Sequence, residues 1–139
     1  MKVMILGKAT KRSESGEFGT AEEFAAMDQY NNELVEAGIV LAADGLQPTS
    51  KGKRVAFDAD GNHTVIDGPF AETKELVAGF SIWEVTSMDE AVEWVRRSPF
   101  RDNEVEIRKI LDADDFTDSF AAEIAAAEEQ LRAQTSTGQ

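Results

Sequence analysis

"KVMILG", residues 2 to 7, decides the fold, because this short run is apolar on both of its faces. In an extended chain, successive side chains point to opposite sides, so Val3 and Ile5 share one face while Met4 and Leu6 share the other. A strand with one solvated face would instead alternate apolar with polar residues. The run therefore predicts a strand that is buried on two sides.

Two helices are predicted from their capping signals. Thr20-x-x-Glu23 and Ser87-x-x-Glu90 are capping boxes, in which the hydroxyl side chain accepts a hydrogen bond from a backbone N–H of the first turn. The first helix ends near Gly38, a residue that suits the left-handed position after a helix, and the second ends before Pro99. The polar, glycine-bearing segment 8–19 is predicted to be a loop.

Further apolar and β-branched runs complete the order of elements. The additional predicted strands are Ile39–Ala43, Lys53–Phe57, Asn62–Ile66, Gly79–Thr86 and Glu104–Leu111. The second and third of these form a hairpin around a turn that ends in glycine. The resulting order, β-α-β, hairpin, β-α-β, predicts a ferredoxin-like α+β sandwich, whose two helices cover the same face of one sheet. An extra helix follows it.

The opposite face of that sheet needs a cover of its own. The first two strands are apolar front and back, but the helices cover only one side, and a large exposed apolar face is rare in a soluble monomer. Either a second copy of the chain packs sheet to sheet, or the C-terminal helix folds back. We favour the homodimer.

The C-terminal segment differs in composition from the rest of the chain. From Asp112 to Arg132 it has seven acidic residues against one basic residue. An apolar stripe at helical spacing predicts an amphipathic helix, which packs on the domain or a sister subunit, or alternatively docks to a basic protein partner. The stripe consists of Phe116, Phe120, Ile124, Ala127 and Leu131. Residues 134–139 are expected to be disordered. We therefore divide the chain into residues 1–111 and residues 112–139.

Composition argues against several functional classes. The net charge of −13 disfavours direct nucleic-acid binding, which requires cationic residues against phosphates. The chain has no cysteine and one histidine, so thiolate and multi-histidine metal sites are excluded, and we expect no required metal or cofactor. No run is apolar enough for a signal peptide or a membrane span, so we expect a cytoplasmic protein that binds no membrane.

The turn Asp67-Gly68-Pro69-Phe70 has two interpretations. Asp before Gly-Pro makes an Asx-type turn, in which the glycine takes a difficult backbone angle, the proline fixes the next one and Phe70 packs. Alternatively, a carboxylate held beside a rigid turn at the end of a strand is well placed to act as a general base. Asp67 is therefore the candidate catalytic residue, although the residue types alone favour the turn.

Other polar residues near this turn complete the candidate site. Two acids, a hydroxyl and a base follow it in Glu72-Thr73-Lys74-Glu75, a polar patch that could shift the pKa of a carboxyl group. The first helix and the second strand bring further polar residues toward one end of the predicted sheet. The candidate substrate-binding residues are Tyr30, Glu33, Asp44, Gly68, Pro69, Phe70, Glu72, Thr73 and Lys74. Each also has an ordinary structural explanation as a surface charge, a turn residue or a core-edge tyrosine.

The nine-residue string DGPFAETKE, residues 67–75, resembles the DGPF branch of the YCII-related family. The similarity runs over residues 1–111 and includes the sequence GLQP at 45–48. This resemblance implies a ferredoxin-like fold of the dimeric α/β-barrel type, with two sheets packed face to face. It also implies a polar cleft in each subunit, no settled substrate, and an association with extracytoplasmic-function sigma factors.

One departure from the family concerns the chemistry. The wider family is expected to use a histidine on the first helix paired with an aspartate, but the first helix here contains no histidine. Asp67 or Glu72 then becomes the substitute, and whether the protein is an enzyme stays open. Two hypotheses follow. The first is a homodimeric small-molecule-binding protein or enzyme with a polar cleft near the turn. The second is a regulatory protein, linked to sigma-factor-dependent transcription, that acts through its acidic surface and C-terminal helix.

Overall fold

The structure is a computed structural model that describes residues 1–17, 19–116 and 118–137, without the side chains of residues 118–121, 136 and 137. The chain divides into two compact units, Met1–Lys109 and Ile110–Gln139. Within the described residues, no helix has the length and apolar character needed to cross a lipid bilayer.

Within its described residues, the first unit contains six strands and three α-helices. They are β1 (Lys2–Lys8), α1 (Lys11–Glu14), α2 (Ala21–Glu36), β2 (Val40–Gly45), β3 (Lys53–Phe57), β4 (His63–Asp67), β5 (Val77–Glu84), α3 (Met88–Arg96) and β6 (Val105–Lys109). Four strands form one antiparallel sheet in the order β2-β5-β1-β6, and β3 pairs with β4 as a separate hairpin. Without that hairpin, the chain order and the sheet order are those of a ferredoxin-like sandwich, so the predicted fold class is confirmed.

Capping explains why the two long helices begin where the sequence predicts. The Thr20 hydroxyl accepts the backbone N–H of Glu23 at 3.1 Å, and the Ser87 hydroxyl accepts that of Glu90 at 3.1 Å. Gly38 has a φ of 72°, in the left-handed region that a residue without Cβ adopts freely. The two N-caps and the glycine stop signal are therefore confirmed, whereas the reciprocal bond of a capping box is not formed, because Glu23 accepts from Arg12 and Glu90 accepts from Thr86.

The hydrophobic core lies on the side of the sheet that α2 and α3 cover. Val3 and Ile5 from β1 and Trp83 from β5 are buried there, against Leu34 of α2 and Ala91 of α3. The other face of the sheet carries Met4, Leu6, Phe80 and Ile82, which are half-buried. Within one chain β1 is therefore buried on its helix-facing side and half-buried on the other, so burial on both sides stays a prediction.

Several local predictions need correction. β5 spans Val77–Glu84, two residues earlier at each end than the predicted strand Gly79–Thr86. Segment 8–19 is not entirely a loop, because Lys11–Glu14 forms a short helix whose N-cap Thr10 exchanges hydrogen bonds with Ser13. The second strand begins and ends later than predicted, and from Leu41 onward its side chains are exposed, as an edge strand permits. The last strand ends at Lys109 rather than Leu111.

The second unit consists of a short 3-10 turn, Ala113–Asp115, and helix α4, Asp118–Thr137. The expectation of disorder was wrong for residues 134–137, where the helix continues and the Thr135 hydroxyl donates to the carbonyl of Leu131 at 3.0 Å. Gly138 and Gln139 lie outside the described residues, as does the side chain of Phe120 from the predicted stripe. Leu131, at the end of that stripe, is 61% exposed.

Candidate functional site

Side chains become smaller along the helix-facing side of the sheet. Directly opposed residues on antiparallel strands share one face, so the pairing of β2, β5 and β1 defines rows across the sheet. The rows are Val40–Trp83–Val3, then Ala43–Ser81–Ile5, then Gly45–Gly79–Gly7. At the last row the sheet has no side chains to fill the space beneath the helices, and a cavity opens there.

This cavity has a volume of about 550 Å³, which is within the usual size of a small-molecule site, roughly 300–1,000 Å³. Its floor is the tapering part of the sheet. Residues from α2, α3 and the loop before β6 form the roof of the cavity and its mouth. They are Met27, Tyr30, Asn31, Leu34, Val95, Phe100 and Asn103. The cavity is therefore bounded mainly by apolar and aromatic side chains, with amides among them.

The polar groups inside the cavity are already hydrogen-bonded. The indole N–H of Trp83 donates to the hydroxyl oxygen of Ser81 at 2.7 Å, and the Ser81 hydroxyl donates to the carbonyl of Ala42 at 3.2 Å. The Tyr30 hydroxyl donates to the carbonyl of Trp94, at the end of α3, at 2.5 Å. The inner surface of the cavity therefore requires no polar partner from a ligand.

Tyr30 is a neutral group at ordinary pH. Burial raises the pKa of its hydroxyl to about 12, and the negative charge of Glu33 adds to the increase. Glu33 itself is exposed on α2 and does not line the cavity. Tyr30 consequently joins α2 to α3 through its hydrogen bond, and its phenol is not a base near neutral pH.

Two charged residues, Lys8 and Asp44, also line the cavity, but the strand register associates them with the opposite face of the sheet. Asp44 is directly opposite Phe80, whose neighbour Ser81 belongs to the helix-facing rows. Lys8 forms an ion pair with Glu106 at 3.1 Å, and Glu106 is directly opposite Leu6 on that other face. The helix-facing rows of the sheet therefore carry no charged side chain, and the charges that line the cavity are those of Lys8 and Asp44.

The Asp67–Phe70 turn, called the DGPF turn below, packs against segment 48–52. The Gly68 N–H donates to the carbonyl of Gly52 at 3.0 Å, and the Phe70 N–H donates to the Thr49 hydroxyl at 3.1 Å. A Cβ on Gly68 would lie 1.7 Å from the carbonyl oxygen of Thr49, so no other residue fits without movement of the backbone. The guanidinium of Arg54 lies 3.8 Å from the centre of the Phe70 ring. These contacts give the turn a structural explanation.

A carboxylate from α1 holds the segment on which the turn packs. Glu14 accepts the backbone N–H of Thr49 at 3.0 Å, and its other oxygen accepts the Thr49 hydroxyl. That hydroxyl in turn accepts the N–H of Phe70. Glu14 and Thr49 therefore connect α1 to the DGPF turn through one chain of hydrogen bonds. Neither residue is among the predicted site residues, because Glu14 lies in segment 8–19, which the sequence predicts to be a loop.

The structure separates the predicted site residues into two groups. Tyr30 and Asp44 line the cavity, whereas no residue from 67 to 74 does so. Asp67 pairs with Lys53 at 2.5 Å on the hairpin, and its side chain is 75% exposed. Glu72 and Lys74 are also exposed, Thr73 is half-buried, and Pro69 is exposed between Gly68 and Phe70. The catalytic role of Asp67 stays a prediction.

A larger depression of about 920 Å³ lies at the start of α2, between Arg12 and the loop before β6. The guanidinium of Arg12 is already paired within the protein. It donates to both carboxylate oxygens of Glu23, at 3.0 and 3.1 Å. This pairing lowers the pKa of Glu23. Within the described residues, no group of three or more histidine, cysteine or acidic side chains is arranged to bind a metal ion.

Several cavity residues are absent from the predicted site, namely Ser81, Trp83 and the row Gly45–Gly79–Gly7. A signal for the row was present, since Gly7 ends the first predicted strand, Gly45 follows the second and Gly79 begins a later one. What the sequence does not give is the register that brings the three glycines side by side.

The fold and the cavity together define a small ferredoxin-like α+β protein with a ligand-sized space between its sheet and its helices. The chain belongs to the YCII-related domain family, because the sequence model of that domain matches residues 1–114. The family assignment agrees with the resemblance drawn from residues 67–75.

Two individual proteins are similar to this chain. Uncharacterized protein R00369 of Rhizobium meliloti (strain 1021) is 42% identical over 70 residues, which are 50% of this chain and 56% of that protein. The chain thus spans about half the length of the curated relative it matches. A solved structure that is similar to this chain is 5-chloro-2-hydroxyhydroquinone dehydrochlorinase (TftG) from Burkholderia phenoliruptrix AC1100, in complex with 2,5-dihydroxybenzoquinone. It has a TM-score of 0.47 and 16% identity, and covers 84% of this chain and 100% of that chain.

Proposed function

We propose that this protein binds a small organic molecule in the cavity between the helix-facing side of its sheet and α2. The observation that carries the proposal is the taper of the sheet to the row Gly45–Gly79–Gly7, which leaves a cavity of about 550 Å³. None of these glycines has a positive φ, and a Cβ on Gly45 would meet no atom within 4 Å. The backbone therefore does not need glycine at position 45, and its absence of a side chain leaves the floor open.

The proposed function is binding, with no chemical step assigned. Among the described residues, the cavity lining offers no imidazole, and its carboxylate, Asp44, lies opposite Phe80 rather than in the helix-facing rows of the sheet. Asp67 lies on the hairpin, paired with Lys53, and does not line this space.

We also propose that a second copy of the chain covers the other face of the sheet. Met4, Leu6, Phe80 and Ile82 form an apolar surface there that is only half-buried within one chain. An Ile82→Glu variant should halve the mass measured by light scattering, because it puts a charge into that interface. Val92→Glu, on the 39% exposed Val92 of α3, should not change the mass. A monomeric wild type would contradict this part of the proposal, and a monomeric 1–111 fragment would assign the assembly to the C-terminal segment.

The cavity is tested by a thermal-shift screen of a metabolite library against three proteins. The wild type should be stabilised by at least one compound. Gly45→Val should remain folded and lose that stabilisation, because its side chain occupies the floor. Gly52→Ala is the matched control, since its Cβ would lie in ordinary contact, 3.6 Å from the Thr49 carbonyl oxygen, outside the cavity. Hits that stabilise Gly45→Val as much as the wild type would overturn the proposal.

A further inference from the structure

We infer that the cavity takes an uncharged ring compound, with its apolar body against the glycine row and a neutral polar substituent at the mouth. This inference rests on the proposed function and specifies its ligand class. It depends on the charge, the hydrogen bonding and the lining of the cavity described above.

The charges around the cavity favour an uncharged ligand. A charged ligand group that leaves water needs a partner of opposite charge or several hydrogen bonds, and otherwise binding is strongly disfavoured. Lys8 and Asp44 line the cavity, but neither belongs to the helix-facing rows of the sheet. Lys8 is paired with Glu106, and Asp44 shares the face of Phe80. The net charge of −13 adds a long-range repulsion for anions.

The inner lining of the cavity favours an apolar part of the ligand. Trp83 and Tyr30 are 3% and 6% exposed, so the inner end of the cavity is lined by closely packed aromatic side chains. The N–H and O–H groups of Trp83, Ser81 and Tyr30 already donate within the protein. A ligand group that entered here with unsatisfied hydrogen-bonding capacity would lose its bonds to water. The interior therefore favours an apolar body, and an apolar ring has the matching surface.

Two asparagine side chains at the mouth of the cavity can bind a neutral polar group. Asn31 and Asn103 line the cavity and are exposed, and neither amide side chain has a hydrogen-bond partner among the described residues. An amide offers two N–H donors and a carbonyl acceptor, so it serves neutral hydroxyl, carbonyl and amide groups equally well. The polar substituent of the ligand is therefore expected at this rim, with the ring pointing inward.

Two matched pairs of ring compounds test the inference on the 139-residue chain. Benzamide and benzoate differ mainly in charge, as do benzyl alcohol and benzylammonium. Dissociation constants from ligand titrations followed by NMR should be at least about tenfold weaker for each charged member than for its neutral counterpart. Asn103→Ala should weaken benzamide roughly three- to tenfold, the effect of one hydrogen bond, and leave toluene unchanged.

The outcomes separate the inference from the proposed function. If binding is lost in Gly45→Val but benzoate or benzylammonium binds as tightly as its neutral counterpart, the ligand class is wrong and the cavity function stands. If the neutral probes bind Gly45→Val and the wild type alike, or do not bind the wild type even in the millimolar range, both fail. Tight binding of toluene that matches benzamide would remove the role assigned to the amide rim.

Discussion

Gly68→Ala is the substitution for which the structure gives the clearest energetic prediction. A Cβ at this position would lie 1.7 Å from the carbonyl oxygen of Thr49 and 2.6 Å from its carbonyl carbon. Both atoms belong to the backbone, so no rotamer change relieves the overlap. The DGPF turn must therefore move away from segment 48–52.

The expected loss of stability follows from the contacts that this movement breaks. The hydrogen bonds from Gly68 N–H to the carbonyl of Gly52 and from Phe70 N–H to the Thr49 hydroxyl contribute about 1 kcal/mol each. Residual overpacking adds about 1–3 kcal/mol. The free energy of unfolding should thus fall by about 3–5 kcal/mol, and Tm by about 10 °C or more for a chain of this length.

Urea unfolding followed by circular dichroism measures this difference, with Gly52→Ala as control. A Cβ on Gly52 would make only an ordinary contact and its φ is −103°, so that variant should match the wild type or gain up to about 1 kcal/mol. If Gly68→Ala lies within about 0.5 kcal/mol of the wild type, the turn is not packed as described and the steric reasoning is refuted.

Three further predictions concern other parts of the molecule. Tyr30 is the only tyrosine, so absorbance should show a single ionisation near pH 12 in the folded protein, and Glu33→Gln should lower that pKa. Because the pKa of Tyr30 in the folded protein is raised above 10, the stability that the neutral hydroxyl contributes is complete below pH 10 and is lost as the pH rises toward 12. A free energy of unfolding that does not change between pH 10 and pH 12 would contradict this prediction. Glu14→Gln should lower stability by about 1–2 kcal/mol in urea unfolding, since a carboxylate that accepts two bonds is replaced by an amide, and equal stability would contradict the link to Thr49. Asp67→Asn should leave ligand-induced stabilisation unchanged in the thermal-shift assay, because Asp67 does not line the cavity; its loss would favour the catalytic site predicted from the sequence.

Local patterns were sufficient to predict most of the fold. The two-faced run in β1 follows from the period of an extended chain, and the starts of α2 and α3 follow from hydroxyl caps at Thr20 and Ser87. The helix at Lys11–Glu14 was missed because its capping box has Ser13 where the common pattern has Glu or Gln. Short-range chemistry is readable when it follows the common pattern.

The cavity could not be predicted in the same way, because it depends on the pairing of residues far apart in the chain. Gly7 is opposite Gly79, and Gly79 is opposite Gly45, on strands that only the folded register brings together. The sequence instead drew attention to residues 67–75, a specific string whose glycine and phenylalanine are explained by packing on Thr49 and Arg54. In this protein the recognisable string at residues 67–75 therefore does not line the cavity between the sheet and α2.

The most direct test of the account is a titration of the methyl-labelled protein with benzamide, followed by chemical shifts. The account predicts shifts at the methyl groups of Ile5, Met27 and Leu34, which line the cavity, and their disappearance in Gly45→Val. Shifts confined to Val55 and Val65, the exposed methyl groups of the hairpin, would place binding on another surface and contradict it.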